Sequence, residues 1–407
     1  MIVRENAMDF PETEPSTSRV FPNAALFALA LLPALAGAQE ITDLKPSREL
    51  TLQQQGSFYV GGNTHQIDDA YTGTTAGRSG ESMINQMYVQ FQKPARKANV
   101  YPIVFVHGCC LSSKTWETTP DGRMGWYEYF TRKGFDTYMA DQVGRARSGF
   151  DALQYNRVQA GADPASSNPR VLIATDKFAW DVFRFGDFAT KTPWPDEQFP
   201  METVGIGPGS TLTFYKQVIP DMTATLSASP PGCSGGSCAP VIANAFWHTP
   251  ASMAELANKL GGAILVGHSQ SSSFPTRAAL QPGSNGVRGI IQLETGCFGN
   301  LVAADIDILK KIPILIIEGD HYATARPVEP CPTEIAEITG AGGDITYVHL
   351  PESGVGTGNS HMFMQDRNNL KIADLIIKWI DRHVDKPRKD RGHDHDDDHD
   401  HDHDHDD

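Results

Sequence analysis

Several things are scarce in this chain, and each scarcity narrows what it can be. It has no Asn-x-Ser/Thr sequon, so nothing points to N-glycosylation. Positive charge is in deficit: 34 Lys and Arg face 49 Asp and Glu, for a formal net charge of −15. Nine of the aspartates lie between Asp394 and Asp407, and without them the chain carries about −6. A body that mildly acidic gives no electrostatic reason to bind nucleic acid, which is excluded as a partner. Long apolar runs are also scarce. The one candidate, NAALFALALLPALAGAQE (Asn23–Glu40), is too short in its apolar part for a stable membrane anchor. It ends in the small residues Ala36-Gly37-Ala38, as signal-peptidase cleavage before Gln39 requires. Residues 1–38 are therefore expected to be a signal peptide and the mature protein to be secreted. The leader is long and carries acids, which a true start at Met8 would partly explain.

Cysteine is sparse too. Six in an exported chain favour disulfides over metal thiolates. Cys233 and Cys238, in CSGGSC, close a short loop, and Cys297 and Cys331 pair by elimination. Cys109 and Cys110 are adjacent. Either they bridge each other, stiffening their loop, or one is free and the other bonded elsewhere.

What is present is a repeated alternation of strand and helix. GSFYVGG and INQMYVQFQKP read as early strands, and YPIVFVHG as a strand buried on both faces. GWYEYFTRKG is a short amphipathic helix ended by Gly134, followed by the strand FDTYMAD. After residue 250 come the helix PASMAELANKLGG, the strand AILVG and the helix start QSSSFPTRAALQ. VRGIIQLE, IPILIIEG and ITYVHL are further strands, and NNLKIADLIIKWIDRHV is a closing amphipathic helix. The pattern implies an α/β fold with a doubly wound, mostly parallel sheet over residues 39–385. Residues 150–250 break it with proline, glycine and scattered aromatics, and are expected to form an inserted lid or cap. The alternative is a structural insertion with its own small core. Residues 386–407 form a His/Asp-rich tail that cannot bury anything and is expected to be disordered.

The chemistry centres on LVGHSQSSS (Leu265–Ser273). A strand leads in and a helix leads out, the setting of a nucleophile elbow Gly-x-Ser-x-Gly, except that Ser271 stands where the closing glycine belongs. Ser269 is the candidate nucleophile, and the Gln270 N–H would face the developing oxyanion. The second oxyanion donor is expected from VFVHGCC, at the Cys109 N–H, with His107 bracing that loop. The base should follow the last strand. His361 lies there in a glycine-rich loop, whereas His349 is inside the strand and His383 is on the closing helix. For the orienting acid, Glu294 ends one strand, and Asp320 sits early in EGDHYATA, where Tyr322 takes the place of a second Asp. A carboxylate at a strand's carboxyl terminus suits the role, which favours Glu294.

With HGCCLSSKTWETTPDGRMGW, DQVGRARS, GHSQS and GNSHMFMQDRNNLKIADLI in view, the chain resembles the α/β-hydrolase superfamily. More narrowly, it is similar to secreted bacterial esterases with a Ser-Glu-His triad and an HGCC oxyanion loop. The resemblance implies Ser269 as nucleophile, His361 as base and Glu294 as acid. It also implies Cys109 and Gln270 as oxyanion donors, a Cys109–Cys110 bridge, and no metal or organic cofactor. Ser271 departs from the pattern and puts rate and acyl-pocket size in question. Between Phe150 and Pro250 only patches such as RFG and QFP agree, so substrate preference does not carry over. The expected partner is a small-molecule carboxylic ester, with the aromatic insertion suggesting a bulky apolar group. An amidase or peptidase would use the same residues. A binding protein on an inactive hydrolase fold would ordinarily lack a triad member. A metal-buffering role for the tail would survive Ser269→Ala and vanish on truncation at Gly392.

Overall fold

In YPIVFVHG, AILVGH, VRGIIQL and ILIIE the β-branched and leucine side chains alternate between two faces, as strand geometry requires. Both faces are buried in the computed structural model, which describes residues 49–74, 78–169, 171–221, 244–294, 298, 301–322 and 331–385. All of these fall in one unit that begins at Gly37. The strands are β1 (Leu52–Ile67), β2 (Gly80–Pro94), β3 (Ile103–Val106), β4 (Thr137–Ala140), β5 (Gly186–Asp187), β6 (Thr192–Pro193), β7 (Ala263–His268), β8 (Val287–Leu293), β9 (Ile314–Glu318) and β10 (Ile345–His349). Eight of them form one sheet in the order β1-β2-β4-β3-β7-β8-β9-β10. β1, β2 and β4 pair antiparallel, and from β4 to β10 every pairing is parallel. β5 and β6 make a separate two-residue hairpin.

In the central strands the alternation sends the apolar residues to one of two cores. Ile103, Phe105, Ile264, Val266, Ile291, Leu293, Leu315 and Ile317 pack into one. Val104, Val106, Ala263, Leu265, Ile290, Ile314 and Ile316 pack into the other. The described α-helices are α1 (Trp126–Arg132), α2 (Leu153–Gln159), α3 (Asp176–Phe183), α4 (Asn244–Lys259), α5 (Phe274–Ala279), α6 (Ala303–Leu309), α7 (Pro332–Gly340) and α8 (Asn369–His383). On the first face α1 brings Trp126 and Phe130, and α8 brings Ile372, Ile376 and Ile380. On the second, α4 brings Met253 and Leu256.

The doubly wound α/β fold expected from the alternation is what the chain adopts. Two details differ. β1 spans 16 residues, well beyond GSFYVGG, because its long antiparallel pairing with β2 continues through polar positions that a burial pattern does not register. α4 starts at Asn244, ahead of Pro250, which lies inside it. The sequence placed the start at the proline because a residue without an N–H suits a helix's first turn.

The described part of the insertion, up to Asp221, does not form a core of its own. Its Trp180, Phe183, Phe185, Phe199 and Phe214 join the first core, with the Phe185 and Phe199 rings 4.3 Å apart. The leader, the Cys233–Cys238 pair, Cys297 and the tail lie outside the described residues. Cys331 is disulfide-bonded. No described helix is long and apolar enough to cross a membrane.

Candidate active site

Parallel strands deliver the residues that follow them to one edge. Here the carboxyl ends of β3, β7, β8, β9 and β10 lead to Gly108-Cys109, Ser269, Glu294, Tyr322 and His361. β7 is buried throughout and breaks at Ser269, whose φ of 56° lies in the left-handed region. A non-glycine residue held there costs of order 1–3 kcal/mol and persists only where its surroundings enforce it. The surroundings are tight. A Cβ on Gly267 would lie 2.0 Å from the Ser271 carbonyl oxygen, so only glycine fits two residues before the serine. A Cβ on Gly108 would lie 2.9 Å from His268 Nδ1 and 3.0 Å from Ser269 Cβ, so a second glycine lets the β3 loop close onto the turn.

Ser271, the departure from the motif, is fully buried and bonded. Its hydroxyl accepts from the His268 N–H at 3.0 Å and lies 3.0 Å from the Val106 carbonyl, to which it donates. It ties the turn to β3, which a glycine cannot do.

His361 meets the turn through its neighbour. His268 Nε2 donates to the His361 carbonyl at 2.8 Å, and the two rings lie 4.9 Å apart. Burial, then the nearby His361, lower His268 to about 3, so it is neutral. The His361 ring stacks on Phe183 at 5.6 Å, and its Nδ1–H donates to Glu294 Oε2 at 2.8 Å. Glu294 also has a left-handed backbone, φ 56°, which turns its side chain out of β8 toward the histidine. Of the two candidate acids, Glu294 is the one bonded to His361. Asp320 instead accepts from the backbone N–H groups of His321 and Gly358, at 2.7 and 3.0 Å, and so braces the loop that carries His361. His349 and His383 pair with Glu352 and Asp344, away from the turn.

Three partners of Glu294 carry no signal of that pairing in the sequence. Arg184 donates from both terminal nitrogens, Nη2 to Oε1 and Nη1 to Oε2, each at 2.8 Å. Tyr322 donates its hydroxyl to Oε2 at 2.8 Å, and the Gly319 N–H reaches Oε1 at 2.6 Å. Burial would raise the Glu294 carboxyl, but Arg184 and His361 outweigh it and hold the group well below the ordinary carboxylate range. Burial and then Glu294 push the Tyr322 phenol up, so it remains a donor. Arg184 sits just past α3 in the left-handed conformation, φ 62°, and that sharp end aims it back at β8.

The loop expected to supply an oxyanion donor has its own frame. Cys109 and Cys110 are joined by a disulfide. The Cys110 carbonyl accepts from the Ile219 N–H at 2.9 Å, and the Cys110 N–H donates to Asp221 Oδ2 at 3.2 Å. Asp221 forms an ion pair with Arg145 at 2.5 Å, both side chains fully buried. Arg145 in turn donates to the Gly108 carbonyl at 3.0 Å and to Gln270 Oε1, while Gln270 Nε2 donates to Asp221 at 3.3 Å. One buried ion pair therefore holds both segments expected to supply oxyanion donors. His107 receives the Gln142 N–H on Nε2 at 3.1 Å and donates from Nδ1 to the Gly108 carbonyl at 2.8 Å. Burial, then Arg145, lower it to about 4. It is a neutral brace.

Asp196, Asp320 and His321 bring one donor atom each within 4.8 Å of one another. Asp196 and His321 are bonded to each other and Asp320 to backbone amides, so the trio is accounted for without an ion. Beside it lies a cavity of ≈ 470 Å³ that reaches Glu294 and His361, with Trp180, Trp194, His321 and Tyr322 in its walls.

No family model matches the chain. A solved structure presented as that of a novel bacterial esterase is 38% identical, with a TM-score of 0.71, over 83% of this chain and 98% of that one. A probable secreted lipase, phiG, from Fungal sp. (strain ATCC 74256) is 25% identical over 389 residues, 83% of this chain and 92% of its own length. The fold and these likenesses place the chain in the α/β-hydrolase superfamily, and within it among the esterases.

Proposed function

We propose that this protein hydrolyses carboxylic esters through an acyl-enzyme on Ser269. The observation that carries the reading is the buried His361–Glu294 couple, 2.8 Å apart, tied through the His361 carbonyl to His268, the residue before the left-handed Ser269. The relatives' names, an esterase and a secreted lipase, support the ester class and export of the mature chain.

His361 takes the Ser269 proton as the hydroxyl oxygen bonds to the ester carbonyl carbon, and Glu294 stabilises the resulting imidazolium. The Cys109 and Gln270 N–H groups hold the oxyanion, each worth roughly 3 kcal/mol in such sites. The C–O bond to the alcohol breaks, and the alcohol leaves with the proton from His361. Water then repeats the sequence on the acyl-enzyme and releases the acid. The loop's rigidity matters because a donor that must move at the moment of reaction loses part of its value.

The test is side-by-side turnover of an ester and its amide analogue by wild type and Ser269→Ala. The reading expects ester turnover, a burst of alcohol, and a loss of at least ~10³-fold in the variant. Unchanged turnover in Ser269→Ala would remove the nucleophile, and equal turnover of the amide would move the assignment to an amidase.

A further inference from the structure

We propose that Arg184 is a positioning residue that also sets the basicity of His361, keeping the base unprotonated under more acidic conditions than a His-Glu couple alone would allow. The inference rests on the triad reading above. A carboxylate that faces only an imidazole gives it its whole negative charge, and so favours the imidazolium. Glu294 does not: both its oxygens accept from the Arg184 guanidinium, at 2.8 Å each, and Oε2 is shared between Arg184, Tyr322 and His361. Arg184 Nη1 also lies 3.3 Å from His361 Nδ1. Protonating His361 thus sets a second cation against the first, in a site where Arg184 and Glu294 are almost fully buried and poorly screened. The fork fixes the carboxylate plane, so Oε2 stays on the imidazole N–H.

The other charged groups around the couple are fixed elsewhere. From the β9 end come Glu318, bonded to Tyr322, and Asp320, bonded to backbone amides, with His321 paired to Asp196 of the insertion. From the elbow comes neutral His268. Behind His361, Asp366 accepts from both the Ser360 N–H and its hydroxyl, and Arg123 binds the Asp366 carbonyl. Burial, then Asp366, raise Glu197 to about 9, and burial raises Asp366 to about 7. Among the described residues, Arg184 is the permanent cation bonded to Glu294.

The test is the pH profile of kcat/KM for an ester, measured on wild type, Arg184→Gln, Arg184→Met and Arg184→Lys, with an NMR titration of the His361 ring. Removing the cation makes His361 easier to protonate, so in both neutral variants the acidic limb and the ring titration move to higher pH by roughly 1 unit. Arg184→Lys keeps the charge but not the fork, so its limb stays in place while kcat falls. A neutral variant that loses kcat/KM by one factor at every pH, with its limb unmoved, would reduce Arg184 to a structural part. A limb displaced in Arg184→Lys by roughly 1 unit to higher pH would overturn the charge argument even if the neutral variants do not fold. Failure of the triad reading looks different: wild-type turnover would then persist in His361→Ala, before Arg184 enters.

Discussion

Replacing Ser271 by glycine restores the motif's usual residue, and it is expected to weaken the protein. The Ser271 hydroxyl is fully buried and holds the His268 N–H and the Val106 carbonyl at 3.0 Å each. Ser271→Ala removes that link and leaves a buried backbone donor short of a partner, at about 1–3 kcal/mol. Ser271→Gly adds about 0.5–1 kcal/mol of backbone freedom in the unfolded chain. The glycine variant should therefore lose about 1.5–4 kcal/mol, and the alanine variant somewhat less. Because Ser269 is held left-handed by this turn, kcat should fall in both while KM changes little. Urea unfolding followed by tryptophan fluorescence reads the first quantity, and steady-state kinetics on one ester reads the second. Stability within about 0.5 kcal/mol of wild type, together with an unchanged kcat in Ser271→Gly, would refute the claim that the hydroxyl braces the turn.

Asp221→Ala leaves Arg145 buried without its counter-charge, so a loss of about 3–5 kcal/mol is expected, with a fall in kcat as the Cys110 N–H and Gln270 lose their shared acceptor. Thermal melts and kinetics check it, and wild-type values on both would remove the ion pair from the account. Burial raises Glu197 to about 9, so the native state keeps a proton that the unfolded chain releases above about 4.3. Stability should then decline as pH rises above about 4.3, by at most roughly 1.4 kcal/mol per unit, and level off as pH passes the folded-state value of about 9. Glu197→Gln should flatten that decline in urea titrations, and an identical slope in the variant would assign the effect elsewhere.

The frame of this fold was legible because it follows from local patterns. YPIVFVHG and AILVGH are short apolar runs that stop at glycine or at a turn, and such runs become buried parallel strands whatever lies beyond them. The chain order of Ser269, Glu294 and His361, each just past a strand, could be read for the same reason. The parts that escaped are those fixed by distant pairing. Arg184 stands 110 residues from the carboxylate it grips, in a stretch without periodicity, and only the left-handed end of α3 aims it there. Asp221 carries no local signal beyond the proline before it, yet it meets the Cys110 N–H 111 residues away. Tyr322 stands out in the sequence only as the residue in an expected aspartate's place; its hydrogen bond to Glu294 depends on how β8 and β9 lie side by side. Ser271 looked like a defect because its hydroxyl's partner, Val106, lies 165 residues back in the chain.

The central claim, a serine nucleophile activated by His361 and Glu294, is tested most directly by treating the purified protein with a fluorophosphonate and locating the adduct by peptide mass spectrometry. The account predicts one adduct, on Ser269, absent in His361→Ala and formed far more slowly in Glu294→Gln. A folded wild-type protein that carries no adduct, or carries it on another serine, would contradict it.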